Sequence, residues 1–173
     1  MLDRLPVLIN PVSFSERGKK LAGPINVSDL TRLSDALVDD SGVVNIDFSF
    51  DKEGRRPILE GVIKANLMLQ CQACLKPVEW SVERRFKLGF VISLEQADKL
   101  PGDCEPLLLD NESISLNGLV EDELILALPD FPRHKEECIA REESVAEVKE
   151  DNEKQLDPNN PFSVLAEFKN TGD

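Results

Sequence analysis

The clearest pattern in the chain is an alternation of apolar and polar positions that starts at Val44. In "VVNIDFSF" (43–50), Val44, Ile46, Phe48 and Phe50 alternate with Asn45, Asp47 and Ser49. Successive side chains of a strand point to opposite faces, so this segment predicts a strand with one buried and one wet face. "DKEGRRP" then reads as a turn. A second strand is predicted over 58–70, with Ile58, Glu60, Val62 and Lys64 on one face. A third is predicted over 78–93, with Val78, Trp80, Val82 and Arg84 on one side and Glu79, Ser81, Glu83 and Arg85 on the other. The pattern shifts near Arg84–Phe86, where a bulge or face switch is expected. Together the three form an antiparallel meander with "CQACLKP" at one hairpin end.

Helical spacing occurs in three places. In 28–39, Leu30, Leu33, Leu37 and Val38 share a face behind a Ser28 cap. In 117–128, Leu119, Val120, Leu124, Ile125 and Leu128 cluster while Glu121, Asp122 and Glu123 are expected to face water; Pro129 ends the helix. "PLLLD" and "SISL" suggest short strands between the sheet and that helix. Residues 141–159 are rich in charge and nearly devoid of apolar side chains, the signature of a flexible linker. Beyond it, "NPFSVLAEFK" (160–169) carries an apolar stripe of Phe162, Val164, Leu165 and Phe168, expected to dock on the core as a short helix over 161–168. The expected fold class is α+β: an antiparallel β-sheet or partly closed barrel with a few packed helices and an acidic flexible segment. The expected organisation is one domain over 1–140, an acidic linker over 141–159 and a C-terminal amphipathic segment over 160–173.

Charge divides the chain. The net charge is −13, yet residues 1–90 hold 13 Lys/Arg against 12 Asp/Glu, while residues 91–173 hold 7 against 21. The second half is therefore suited to basic proteins rather than nucleic acid, and the first half can carry a locally basic face. No apolar run reaches the roughly 18–20 residues of a membrane span, and the N-terminus lacks a signal peptide's apolar core. A cytoplasmic protein without a membrane contact is expected.

The four cysteines are too few for a disulfide scaffold in 173 residues. Cys71 and Cys74 form a C-x-x-C turn, the usual half-site for tetrahedral zinc. "HKEEC" sets His134 and Cys138 four apart and supplies a second half. Cys71, Cys74, His134 and Cys138 are thus candidate zinc ligands, with Cys104 outside the set. Two other readings stay open. Free cysteines are commonly buried as small apolar side chains. A redox C-x-x-C is also conceivable, although such pairs usually open a helix, and here a strand follows.

Arg55, Arg56, Arg84, Arg85 and Lys87 lie on neighbouring predicted strands or their turns and are candidate nucleic-acid contacts, since arginine beside aromatic residues binds phosphate and stacks on unpaired bases. A solvated sheet face balanced by Glu53, Glu60, Glu79 and Glu83 is the competing reading. No phosphate-binding glycine loop and no G-x-S-x-G occurs, and the single histidine is already a metal candidate. Catalysis is not expected.

Three blocks in order, "CQACLKP", "LVEDELILALPDFPRH" followed by a cysteine, and "DPNNPFSVLAEFK", resemble the YceD family, the large ribosomal RNA subunit accumulation proteins. The resemblance implies a non-enzymatic accessory role in synthesis, processing or stability of large-subunit (23S) ribosomal RNA. It also singles out Cys71, Cys74 and Cys138 among the cysteines. The partners it implies are that RNA, contacted directly or indirectly, and a basic ribosomal or processing protein facing the acidic half. The alternatives are a zinc-dependent protein–protein adaptor without RNA contact and a C-x-x-C thiol redox protein.

Overall fold

Two 15-residue strands dominate the fold. The computed structural model describes residues 5–136 and Cys138. In chain order the elements are β1 (Leu8–Ile9), α1 (Pro11–Glu16), β2 (Lys20–Asn26), α2 (Thr31–Ser34), β3 (Val43–Glu53), β4 (Arg56–Gln70), β5 (Pro77–Val91), α3 (Leu94–Ala97), β6 (Glu105–Leu108), β7 (Ile114–Ser115) and α4 (Leu116–Ala127). Strands β2 to β6 form one open sheet in sequence order, and β1 pairs with β7 in a separate two-stranded ladder. The fold is α+β as expected, and the sheet takes the open form rather than the barrel. Its pairs are antiparallel except β5–β6, which is parallel. The stretch from Ile92 to Cys104, including α3, makes the crossover that a parallel pair requires. Among the described residues, no helix is long and apolar enough to cross a membrane.

The expected alternation holds in β3, and β4 occupies the strand expected over 58–70 with its odd-numbered residues turned inward. Val44, Ile46, Phe48 and Phe50 are buried, as are Leu59, Ile63, Ala65, Leu67 and Leu69. Gly54, in the left-handed region, opens the two-residue turn between the paired residues Glu53 and Arg56. Phe48, Gly61 and Phe86 lie in one cross-strand row, and the Phe48 and Phe86 rings meet edge to face at 5.6 Å. A Cβ at position 61 would overlap the Phe86 ring, so glycine makes this approach possible. Phe50 continues the aromatic packing, stacking on Phe90 and meeting Phe14 of α1 edge-on.

The bulge expected near Arg84–Phe86 is absent. The β4–β5 register runs unbroken from Ile58↔Gly89 to Gln70↔Pro77. Arg84 keeps its place on the inner face between Val82 and Phe86, and the apparent break is an arginine at a core-facing position. Its partner is Glu123 of α4, with an Nε–Oε2 distance of 3.1 Å; a second contact reaches Glu105 of β6 at 3.3 Å.

Helix α4 lies where a helix was expected, and it is capped by the Ser115 hydroxyl, which accepts from the Gly118 N–H. The expected wet face does not hold: Glu121 is 6% exposed and Glu123 is 4% exposed. Each buried carboxylate meets an arginine. Glu121 accepts from the Arg32 backbone N–H and Nε, and Arg32 also contacts Asp122. Desolvation pushes the Glu123 carboxyl up, and Arg84 opposes that shift.

The helix expected over 28–39 is also replaced. A 3-10 turn over Val27–Asp29 and the single turn of α2 are separated at Leu30, and Asp39 bridges to Met68. The Val38 N–H donates to the Met68 carbonyl, which draws the segment along the far end of β4. Leu30 and Leu33 still reach the core, whereas Val38 stays exposed. Strand β2 carries no alternation signal, because Gly23 and Pro24 interrupt it. Its edge position tolerates proline. The linker expected over 141–159 and the segment over 160–173 lie outside the described residues.

Arg84 and Arg85 therefore contribute in different ways despite being neighbours. Arg84→Ala leaves the Glu123 carboxylate buried without a partner and is expected to cost about 3–5 kcal/mol. Arg85→Ala removes an exposed pair with Glu83 and is expected to cost under about 1 kcal/mol. Urea unfolding of the two variants checks the contrast.

Candidate metal centre

The long hairpin carries the C-x-x-C to its far end. Gln70 and Pro77 close the β4–β5 ladder, and the Cys71 N–H donates to the Lys76 carbonyl at 2.9 Å. The Cys71 carbonyl in turn accepts from the Leu75 N–H at 2.9 Å, with Leu75 in the left-handed region (φ 60°). This is a tight turn between two strands. Among the described residues no helix starts at the C-x-x-C, so the dipole that activates redox pairs is missing.

The second half arrives from the chain after α4. Prolines 129 and 132 keep it from continuing as helix, and the Gln72 N–H donates to the Pro132 carbonyl at 2.8 Å. That bond seats the 130s segment against the turn. A small cluster of Leu69, Cys71 and Val78, with Trp80, Leu37 and Leu128 packed against it, forms the floor.

Cys71, Cys74, His134 and Cys138 thereby converge, with their donor atoms all within 4.8 Å of one another. The Cys71 and Cys138 sulfurs are 3.7 Å apart, and the Cys74 sulfur lies 3.5 Å from His134 Nδ1. These separations can be tested against zinc chemistry. Tetrahedral bonds of about 2.3 Å to sulfur and 2.0–2.1 Å to nitrogen put two sulfurs about 3.8 Å apart and a sulfur and nitrogen about 3.5 Å apart. The donor set fits. The imidazole is also oriented: His134 Nε2 sits 3.1 Å from the Pro77 carbonyl, which can only accept. Nε2 is therefore the donor to that carbonyl and Nδ1 is the nitrogen turned toward the sulfurs, as in metal-binding histidines whose far nitrogen is held by a backbone carbonyl.

The electrostatics agree. The Cys71 thiol is drawn well below its ordinary range, first by the Cys74 backbone N–H and then, against the opposing effect of burial, by the N–H groups of Ala73 and His134. Cys138 shifts the opposite way, pushed up by desolvation and by its neighbouring sulfurs. The backbone N–H groups around Cys71 thus favour its thiolate, the form in which a cysteine binds a metal. Cys104 stands apart, packed over Gly89 with its thiol pushed up by burial.

The basic residues are more dispersed. Arg55 lies in the β3–β4 turn and Arg56 begins β4, and neither makes an ion pair among the described residues. Arg85 and Lys87 share the outer sheet face. There Glu83 binds Arg85 at 2.6 Å, while Glu53 and Asp103 bind Lys87 at 3.3 and 2.9 Å. Arg84 is on the opposite face with Glu123. The five candidates therefore do not form one surface. Sequence reasoning missed the Pro77 carbonyl and the buried roles of Glu121 and Glu123. A backbone acceptor leaves no sequence signal, but an arginine at an inward-facing strand position could have pointed to a buried acid.

The family described as Large ribosomal RNA subunit accumulation protein YceD matches residues 59–169. A protein of Haemophilus influenzae named Large ribosomal RNA subunit accumulation protein YceD is 32% identical over 171 residues, covering 96% of this chain and 97% of the relative. No solved structure matches the chain.

Protein purified without chelator is expected to carry near-stoichiometric zinc by elemental analysis. Cys74→Ser should lose most of it and Cys104→Ser none. Equal metal content in the two variants would exclude the centre.

Proposed function

The chain belongs to the YceD family of large ribosomal RNA subunit accumulation proteins, and from that premise we propose that it is a non-enzymatic accessory factor in the synthesis, processing or stability of large-subunit (23S) ribosomal RNA. The observation that carries this mode of action is the convergence of Cys71, Cys74, His134 and Cys138. The chain's only histidine and three of its four thiols are gathered as metal donors. The buried carboxylates Glu121 and Glu123 are occupied by Arg32 and Arg84. These reactive groups are arranged to hold structure.

In this reading Cys71 and Cys74 present the hairpin end, while His134 and Cys138 tie the chain after α4 to it. Zinc would supply a cross-link there and no chemistry. Direct RNA contact falls mainly to Arg55 and Arg56, whose charges are unmatched among the described residues. Arg85 and Lys87 extend along the outer face but are already balanced by carboxylates. A second reading, a zinc-dependent adaptor without RNA contact, draws support from that same balancing and from the net charge of −13.

Cells lacking the protein are expected to hold less large-subunit than small-subunit ribosomal RNA, and the wild-type chain should restore the ratio. Wild-type binding to 23S fragments should weaken with salt, because each phosphate contact releases counterions. Arg55→Glu with Arg56→Glu should weaken binding and flatten that slope. An unchanged RNA ratio in the deletion strain would refute the function. Restoration without salt-sensitive RNA binding would favour the adaptor.

A further inference from the structure

Away from the metal centre, the start of α1, the end of β5 and the β6–β7 connection enclose an open groove of about 680 Å³. Val12, Ile92 and Leu109 give it an apolar lining, and Glu16, Asp110 and Glu112 supply its charge; no lysine or arginine lines it. Ile92 is 71% exposed, and Leu94 just beyond it is 76% exposed. Exposed aliphatic side chains gathered at a concave site mark an interaction surface more often than a random patch does. Lys52 neutralises Glu16 at 3.2 Å. Asp110 and Glu112 meet no cation among the described residues.

We propose that this groove binds a cationic segment of a basic protein, with one or two aliphatic side chains inserted beside Val12 and Ile92 and lysine or arginine set against Asp110 and Glu112. Charge decides among the occupants. RNA would bring phosphates against unpaired carboxylates, and a second copy meeting the groove through its own would set acid against acid. A basic partner gains on both counts, and the −13 net charge steers it in. Basic segments are common in proteins that coat RNA, which suits the ribosomal setting, but the groove needs neither the metal nor RNA contact by this chain.

The test uses the full-length chain and a short fluorescein-labelled peptide of alternating lysine and leucine, with oligolysine as the charge-only comparison. The wild type should bind the mixed peptide more tightly than oligolysine. Ile92→Asp should weaken mixed-peptide binding by about tenfold or more, even though it makes the protein more negative. Attraction by bulk charge alone predicts the reverse. Asp110→Asn with Glu112→Gln should weaken it as well, whereas Asp47→Asn with Glu79→Gln, on the outer sheet face, should change it little. Thermal melting of each variant checks folding. Unchanged or tighter binding in Ile92→Asp overturns the proposal. So does competition for the mixed peptide by single-stranded RNA, or by a peptide of residues 160–169, that Ile92→Asp abolishes.

Discussion

The unbroken ladder between β4 and β5 is the constraint on which the rest of the structure depends. Because the register never slips from Ile58↔Gly89 to Gln70↔Pro77, every inward side chain of β5 has a fixed row. A one-residue slip would turn Phe86, Leu88 and Phe90 to water and Arg85 and Lys87 into the core. The Phe48–Gly61–Phe86 row guards against it, since only glycine at the middle position admits the Phe86 ring. The same register delivers Cys71 and Cys74 to one end of the hairpin and Arg84 to the position facing α4.

Charge then ties the layers together. Arg32 and Arg84 bring their guanidinium groups to Glu121 and Glu123, two carboxylates of one helix that are nearly inaccessible to water. A buried ion pair is weak evidence of net stability, but it specifies one docking of α4, because every other placement leaves a charge unpaired. The outer sheet face uses its charges differently. Its basic side chains sit among exposed acids, which lowers the field that the face presents to a polyanion.

The fold was legible wherever a strand has one wet face. Alternation at Val44–Phe50 is a direct imprint of burial, and β4 was placed as a strand over 58–70, although the inward residues Leu59, Ile63, Ala65, Leu67 and Leu69 were not singled out. Alternation misled at Arg84, where a charged residue facing inward looked like a break. It gave no signal in β2, whose Gly23 and Pro24 an edge position tolerates. Helical spacing located α4 but not its faces, since Glu121 and Glu123 are buried and Ile125 is exposed, and it failed for 28–39, where the chain leaves the helical path and Val38 bonds to Met68. The four candidate ligands were legible as candidates because C-x-x-C and H-x-x-x-C are local motifs. Their meeting depends on the hairpin length and on the bond from Gln72 to Pro132, which no local pattern records. The basic residues were found as types, but their separation by face follows from the register alone.

The central claim is that Cys71, Cys74, His134 and Cys138 form one tetrahedral site joining the hairpin end to the chain after α4. X-ray absorption spectroscopy at the zinc edge of the purified full-length protein tests it most directly. The account predicts three sulfur scatterers at about 2.3 Å and one nitrogen at about 2.0–2.1 Å. A first shell of oxygen and nitrogen alone, or of two sulfurs with two light atoms, would contradict it.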